Sequence, residues 1–180
     1  MWRSRFRSGV DGLRCMLTPI REVATIEAVF SREDSLAEVV EDHIRSANHS
    51  IRAAVYRFNS RRIARALGEA HRKGIRVCLV IDNGRYDGSR ATQELLAKAP
   101  YPFRLAQGRH GESSKMHHKF IVLDEWAVLT GSYNWTYASE EKNYDNLLIL
   151  REPSLIQAHR REFEELWAEG IEPHLAGSSG

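Results

Sequence analysis

The stretch from His117 to Asn134, HHKFIVLDEWAVLTGSYN, decides the fold of this chain. Phe120 to Leu123 is a short apolar run rich in strand-forming residues, which predicts a buried strand. Residues 124–125 supply a turn, and Ala127 to Thr130 returns as the partner strand. We therefore predict a buried β-hairpin in the middle of the domain.

Polar residues stand at fixed spacings around this hairpin. They form an H-x-K-x4-D pattern, followed after six residues by G-S-x-N: His117, Lys119, Asp124, Gly131, Ser132 and Asn134. His117 and Lys119 are two apart on a strand and so share one face. Gly131 would allow a close backbone approach to a ligand, with Ser132 and Asn134 offering hydrogen bonds. A hairpin whose polar residues only face water would not require all of these identities in register.

This pattern resembles the HKD motif of the phospholipase D superfamily with its trailing G-S-x-N. Over residues 24–169 the chain is similar to the single-motif endonuclease branch, which includes small bacterial HKD nucleases and Zucchini-type enzymes, here without the cysteines of a zinc finger. The resemblance implies an α/β fold, a mixed β-sheet flanked by helices on both faces, with the motif strands at the centre of the active site.

The resemblance also implies roles for the motif residues. His117 would attack a phosphodiester and form a covalent phosphohistidine, while Lys119, Ser132 and Asn134 would hold phosphate oxygens. Asp124 would organise the site by pairing with basic groups. Because superfamily members use two HKD histidines per site, one motif implies a homodimer in which the second histidine protonates the leaving group. The lysines would replace metal ions, so no cofactor or metal is expected and activity should survive EDTA.

A nucleophilic imidazole presents its neutral nitrogen, so an acceptor is expected to hold the other ring nitrogen. In the family a glutamate in an N-x-E-N-like segment does this, whereas this chain reads Asn143-Tyr144-Asp145-Asn146. Asp145 takes the matching position and, being one methylene shorter, would orient His117 with altered geometry. His118 would point to the opposite face of the strand and is interpreted as structural. The tandem His117-His118 also suits metal binding, although no further Cys or His cluster completes a site of four ligands.

The charge distribution is uneven although the net charge is only +2. Residues 52–76 hold eight basic residues against the single acid Glu69. Further basic residues approach the motif, at Arg104, Arg109 and Lys115. This asymmetry suits a polyanion docking on one side, and solvated helix faces are the alternative.

Four side chains are candidate substrate contacts: Arg57, Arg109, Lys115 and Trp135. Arg57 follows the second predicted strand and would contact backbone phosphates. Tyr133 and Trp135 flank Asn134, where either would stack on a base or belong to the core.

Length and composition indicate a single soluble domain of 180 residues, with 42% hydrophobic and 28% charged residues. Two distant cysteines favour neither a disulfide framework nor a zinc site. A reducing compartment is the default for such cysteine usage, and we expect a cytoplasmic protein. No stretch approaches the roughly 20 apolar residues of a membrane helix. Residues 1–23 are interpreted as a flexible basic arm, with nucleic-acid contact or targeting as alternatives, and residues 170–180 as a flexible tail.

Alternating strand and helix signals predict the remaining elements. Strands are predicted over 24–30, 50–56, 75–81, near Phe103 and over 146–150, and helices from a Ser31 cap to about Ala47, from Asn59 or Ser60, over 91–98, and from Pro153 to about Trp167. Residues 107–115 are predicted to be a loop leading into the motif.

Three functions are compatible with these patterns. The first is a metal-independent endonuclease acting on single-stranded DNA or RNA. The second is a phosphodiesterase of cardiolipin-type phospholipids, which the same chemistry permits. The third is a nucleic-acid-binding module that kept the fold without catalysis.

Overall fold

The computed structural model describes residues 26–173; the predicted basic arm and most of the predicted tail lie outside the described residues. The elements are β1 (Ile26–Phe30), α1 (Leu36–Ser46), β2 (Ser50–Val55), α2 (Arg61–Arg72), β3 (Arg76–Asp82), α3 (Asn83–Asp87), α4 (Arg90–Leu96), β4 (Phe103–Gly108), β5 (Gly111–Lys115), β6 (Lys119–Leu123), β7 (Ala127–Gly131), α5 (Tyr137–Lys142), β8 (Asn146–Leu150) and α6 (Pro153–Glu169).

One mixed sheet holds the described strands in the order β1-β8-β7-β6-β2-β3-β4-β5. Strands β2, β3 and β4 run parallel to one another. Strand β6 pairs antiparallel with both β2 and β7, so the predicted hairpin is confirmed and lies inside the sheet. The sheet continues antiparallel through β8 to β1.

Both faces of the sheet are covered by helices, as the resemblance implied. Strand β6 shows the alternation: Ile121 and Leu123 join the core beneath α1 and α2, whereas Phe120 and Val122 join the core beneath α6. Because side chains alternate along a strand, a single apolar run supplies both cores. This explains why the run lacks polar residues at alternate positions.

Two local predictions are wrong at the level of individual residues. Helix α1 is capped by Ser35, whose side chain accepts a hydrogen bond from the Glu38 amide, and not by Ser31. Residues 107–115 are not a loop, because β4 and β5 pair there as an antiparallel hairpin. Short helices α3 and α5 were not predicted, since five or six residues are too few to show an apolar period.

The strand ends that carry polar residues meet at one edge of the sheet. Lys119 at the start of β6 pairs with Val55 at the end of β2. The start of β6 also adjoins the end of β7, and Gly131 at the end of β7 pairs with Leu147 near the start of β8. Strand β3 ends there too, because it runs parallel to β2. We call this the motif edge.

Candidate active site

His117 and Lys119 lie together at the motif edge, as their spacing predicted. The Lys119 ammonium donates a hydrogen bond to the carbonyl oxygen of His117 at 2.9 Å. It also lies 3.2 Å from Nδ1 of the His117 ring, which accepts a hydrogen bond when the lysine is charged. The buried Tyr56 ring supports both, at 4.2 Å from the His117 ring centre and 5.2 Å from Lys119 Nζ.

The surroundings favour the neutral form of His117. Partial burial and the nearby charges of Lys119 and Lys115 lower the pKa of His117, against the opposing charge of Asp82. Burial also lowers the pKa of Lys119, with Arg57 acting in the same direction and the Asp145 carboxylate opposing it. The lowered pKa increases the fraction of neutral imidazole at neutral pH, which is the form that can act as a nucleophile.

Ser132 and Asp145 form a hydrogen-bonded pair beside this centre. The Ser132 hydroxyl donates to Asp145 Oδ1 at 2.6 Å and accepts from the Asn146 amide at 3.1 Å. Asp145 Oδ2 and Asn134 Oδ1 are buried and accept no hydrogen bond from residues 26–173. Two buried oxygen acceptors at the motif edge therefore have no donor among the described residues.

The predicted hydrogen bond between Asp145 and His117 is not formed between these described residues. Nδ1 of His117 faces Lys119, and Asp145 is held by Ser132. Asp145 instead acts on Lys119, because its charge works against the lowering of the lysine pKa. Its place in the site matches the prediction, but its direct partner does not.

Asp124 lies at the other end of β6. The resemblance implied that it pairs with basic groups of the site, but the structure shows a different set of partners. Its carboxylate accepts hydrogen bonds from the backbone amides of Asn48, His49 and Ser50, at 2.9, 2.8 and 2.6 Å. At about 3.3 Å per strand residue, its Cα is roughly 16 Å from that of Lys119. Asp124 therefore organises the fold where β2 begins and does not reach the reacting groups.

Gly131 allows a close backbone approach, as predicted, but the group that approaches it is the backbone of Asn146 and not a ligand. A Cβ atom at position 131 would lie 2.2 Å from the carbonyl oxygen of Asn146. Strands β7 and β8 therefore meet closely at the point where Ser132 bonds Asp145, which needs glycine at this position.

Arg109, Lys115 and His117 line a cleft of about 850 Å³ between the β4–β5 hairpin and α6. The opposite wall carries three acids of α6: Glu162, Glu165 and Glu169. Because one wall is acidic, the cleft attracts anions only along its hairpin side.

Arg57 is exposed at the end of β2, and its guanidinium carbon lies 5.6 Å from the Tyr56 ring centre. Its charge lowers the pKa of Lys119, so it is close to the site. Arg62 and Arg65, in contrast, form ion pairs with Glu41, which is buried between α1 and α2.

Trp135 is buried, so the predicted contact with a nucleic-acid base is wrong. Only 2% of the residue is exposed, and its ring packs edge-on against Phe58 at 5.5 Å. Tyr133 is equally covered. His118 points away from His117 as predicted, with Nε2 3.0 Å from Glu162 and its ring against Phe120.

Sequence reasoning missed the residues that support His117 from β2 and β3. The Arg85 guanidinium donates to the hydroxyl of Tyr56 at 2.5 Å. Asp82 accepts hydrogen bonds from the amides of Met116 and Arg85, each at 2.9 Å, and so fixes the chain just before His117. The only sequence signal was a residue with a polar group at the end of each buried strand, Tyr56 after β2 and Asp82 in β3. The order of the strands in the sheet was needed to place both beside His117.

A pH profile tests the environment of His117. Because the folded environment lowers its pKa, kcat/KM is expected to fall on the acid side with a midpoint below the ordinary value of about 6.5. Lys115→Gln removes one of the cations responsible and should move this midpoint to higher pH. Arg90→Gln, on an exposed ion pair with Glu94, is the matched control and should leave the midpoint in place. An unchanged midpoint in Lys115→Gln would contradict the assignment.

The sheet order and the motif edge define a phospholipase D-like chain with one HKD motif. Residues 40–167 match the family model described as "Cardiolipin synthase, PLD-like domain". Mitochondrial cardiolipin hydrolase of Xenopus laevis is 39% identical over 124 residues, which are 68% of this chain and 57% of that protein. The chain thus spans about half the length of the curated relatives that it matches.

Solved structures agree with the family match. Nuc from Salmonella typhimurium, a phospholipase D family member, has a TM-score of 0.75 and 29% identity, covering 84% of this chain and 99% of that one. NucT from Helicobacter pylori has a TM-score of 0.73 and 23% identity, and the match covers 83% of this chain and 100% of the NucT chain. This likeness supports the fold. The chain belongs to the phospholipase D-like family. Within residues 26–173 no helix is long and apolar enough to cross a bilayer.

Proposed function

We propose that this protein is a metal-independent phosphodiesterase that cleaves single-stranded nucleic acid internally, through a covalent intermediate on His117. The observation that carries the proposal is a neutral imidazole beside a lysine ammonium at the motif edge of a phospholipase D-like fold. A neutral imidazole is a competent nucleophile, and an adjacent cation stabilises the charge of the phosphoryl group in the transition state.

The reaction takes place in two displacement steps. A ring nitrogen of the neutral His117 attacks phosphorus, the bond to the leaving oxygen breaks, and a second histidine, in its protonated form, gives that oxygen a proton. Water then attacks the phosphohistidine, transfers a proton to the second histidine and releases His117. Each chain carries one HKD motif, so the second histidine is the His117 of another copy in a homodimer.

Lys119 has two partners in this scheme. In the free site its ammonium bonds Nδ1 of His117. A phosphate oxygen competes for that ammonium and frees the imidazole for attack. Asp145 restrains the position of Ser132 and keeps Lys119 charged. Asn134 assists in holding the phosphate through its side-chain N–H donors, and Ser132 does so when its hydroxyl releases Asp145.

The preference for nucleic acid rests on the cations around the site. Arg57, Lys115 and Arg109 offer a basic path beside His117 for a strand that carries one charge per nucleotide. The structural likeness to Nuc supports the same class. The second candidate, a phospholipid phosphodiesterase, is favoured by the identity to mitochondrial cardiolipin hydrolases.

Cleavage assays in EDTA separate these functions. End-labelled single-stranded DNA and RNA and cardiolipin vesicles are incubated with the protein, and its mass in solution is recorded. We expect strand cleavage by a dimer that survives EDTA and weakens steeply between 50 and 200 mM salt, as phosphate contacts require. Vesicle hydrolysis without strand cleavage would establish the lipid candidate, and strand binding without cleavage the non-catalytic module.

A further inference from the structure

Tyr144 is the most exposed of the large apolar side chains in residues 26–173, with 77% of its surface accessible. The guanidinium carbon of Arg32 lies 4.0 Å from the centre of its ring. A single exposed aromatic ring is unremarkable by itself. This ring differs because a cation stacks on one face while most of its surface remains open.

The backbone on both sides of this ring is held in place. The Ser31 amide donates to the Asp145 carbonyl oxygen at 3.0 Å, and the Asp145 amide donates to the Ser31 hydroxyl at 2.9 Å. The same hydroxyl donates to the carbonyl oxygen of Asn143 at 3.1 Å. Arg32 follows Ser31, so both members of the stacked pair lie on segments that are bonded to each other. A ligand that binds such a fixed ring loses little of its binding energy to ordering the protein.

The stacked pair lies at the motif edge. Tyr144 precedes Asp145, whose side chain bonds Ser132 and whose charge acts on Lys119. Phe30, at the end of β1, pairs with Asn146 and is 52% exposed. The edge that carries the reacting groups thus also presents two open aromatic rings and a cation. No such combination lies at the far end of β1, where Ile26 is the exposed residue.

We infer that Tyr144, backed by Arg32, is a stacking platform for a base of the substrate strand close to the scissile phosphate. The inference rests on the proposed nuclease function and names a substrate-binding residue for it. A tyrosine face accepts any of the bases, and an adjacent guanidinium adds a cation for the phosphate, so the contact favours single strands without selecting a sequence. Tyr144 takes the role that the buried Trp135 is unable to fill.

Binding measurements on strands that lack one base test the platform. Each strand carries one abasic position, moved stepwise along its length, and Kd is measured in a His117→Ala background so that no cleavage interferes. Tyr144→Ala is expected to weaken binding of the intact strand about 5- to 100-fold. At one abasic position the same substitution should have almost no effect, because the stacked base is already missing.

Two variants serve as matched controls. Tyr144→Phe keeps the ring and should bind within about twofold of the parent protein, whereas Ile26→Ala removes an exposed apolar side chain from the far end of β1 and should change nothing. Tyr144→Ala should keep the fold and the dimer mass of the parent protein, since the side chain that it removes is exposed. The salt dependence should also stay the same, since tyrosine carries no charge.

Several results would overturn the inference. An equal loss of affinity at every abasic position would exclude stacking, and loss of the fold or of the dimer in Tyr144→Ala would assign Tyr144 a structural role. Weaker binding to cardiolipin vesicles with unchanged strand binding would place the ring in a lipid surface. Strand binding without cleavage by the wild-type protein would overturn the nuclease proposal and leave the platform supported if the abasic pattern holds. A protein that binds no strand would overturn both.

Discussion

His117→Ala is expected to lower the rate of phosphodiester cleavage by a factor on the order of 10⁴ or more, as removal of a covalent nucleophile does in other enzymes. The alanine variant lacks the atom that bonds to phosphorus, and Lys119 is left able to bind the phosphate but not to cleave it. Because His117 is an exposed residue before the first residue of β6, the fold should be retained. Strand affinity and protein mass should therefore match those of the wild type.

His118→Ala is the matched control for this experiment. The two histidines are adjacent, but His118 faces Glu162 on α6 and Nε2 lies 3.0 Å from that carboxylate. Its removal should change cleavage by no more than about threefold, since His118 makes an exposed hydrogen bond to Glu162 and a ring contact with Phe120, both away from His117. Trapping of a labelled phosphoryl group on the wild-type protein, and not on His117→Ala, would identify the intermediate. Equal cleavage by wild type and His117→Ala would remove His117 from the mechanism.

Asp124→Ala is expected to lower the free energy of unfolding by about 3 kcal/mol or more, with three backbone amides losing a charged acceptor. The residue has a φ of 51°, in the left-handed region, which a Cβ-bearing alanine adopts less readily than aspartate or asparagine. Asp124→Asn keeps that conformation and one oxygen acceptor, so its loss should be smaller. Urea unfolding at pH 7 gives both values.

The contribution of Asp124 should depend on pH in a defined direction. Burial acts to raise the pKa of Asp124, but the amides of Asn48, Ser50 and His49 outweigh it and lower the pKa below the ordinary value. A carboxyl with a lowered folded pKa stabilises the protein above its unfolded pKa of about 3.9 and loses that contribution as the pH falls through the folded value. The wild type and Asp124→Asn should therefore converge in stability below about pH 4. A difference that persists unchanged in acid would contradict the account.

Much of the fold was predictable because it depends on local patterns. The apolar run at 120–123 and its return at 127–130 predicted the central hairpin, which the strand pairing confirms. The hairpin at 107–115 was not predictable in this way. It is glycine-rich and polar, and its pairing depends on β4 continuing beyond the apolar part of the strand. Likewise, the sequence predicted Ser31 as the cap of α1, whereas Ser31 bonds the distant segment 143–145 and Ser35 caps the helix.

The same division holds for the candidate site. Period-two spacing predicted that His117 and Lys119 share a face, and their atoms are in contact. Alternation did not establish whether Trp135 faced water or the core, since that depends on the packing of Phe58, from the segment that follows β2. No sequence pattern indicated that Tyr144 is exposed, because the exposure of a side chain depends on the fold around it. Its stacking partner Arg32 is more than a hundred residues earlier in the chain.

By itself the sequence determined the chemistry that this protein carries: one imidazole and one ammonium on one face of a buried strand, a carboxylate turn behind them, and membership of a phospholipase D-like family that the comparisons confirm. These features are local, since two-residue periodicity and turn preference act between near neighbours in the chain. Only the tertiary structure decided which side chains those groups meet. Tyr56 supports the imidazole, Ser132 holds Asp145, and backbone amides bond the carboxylate of Asp124. These contacts form because the order of strands brings distant segments of the chain together.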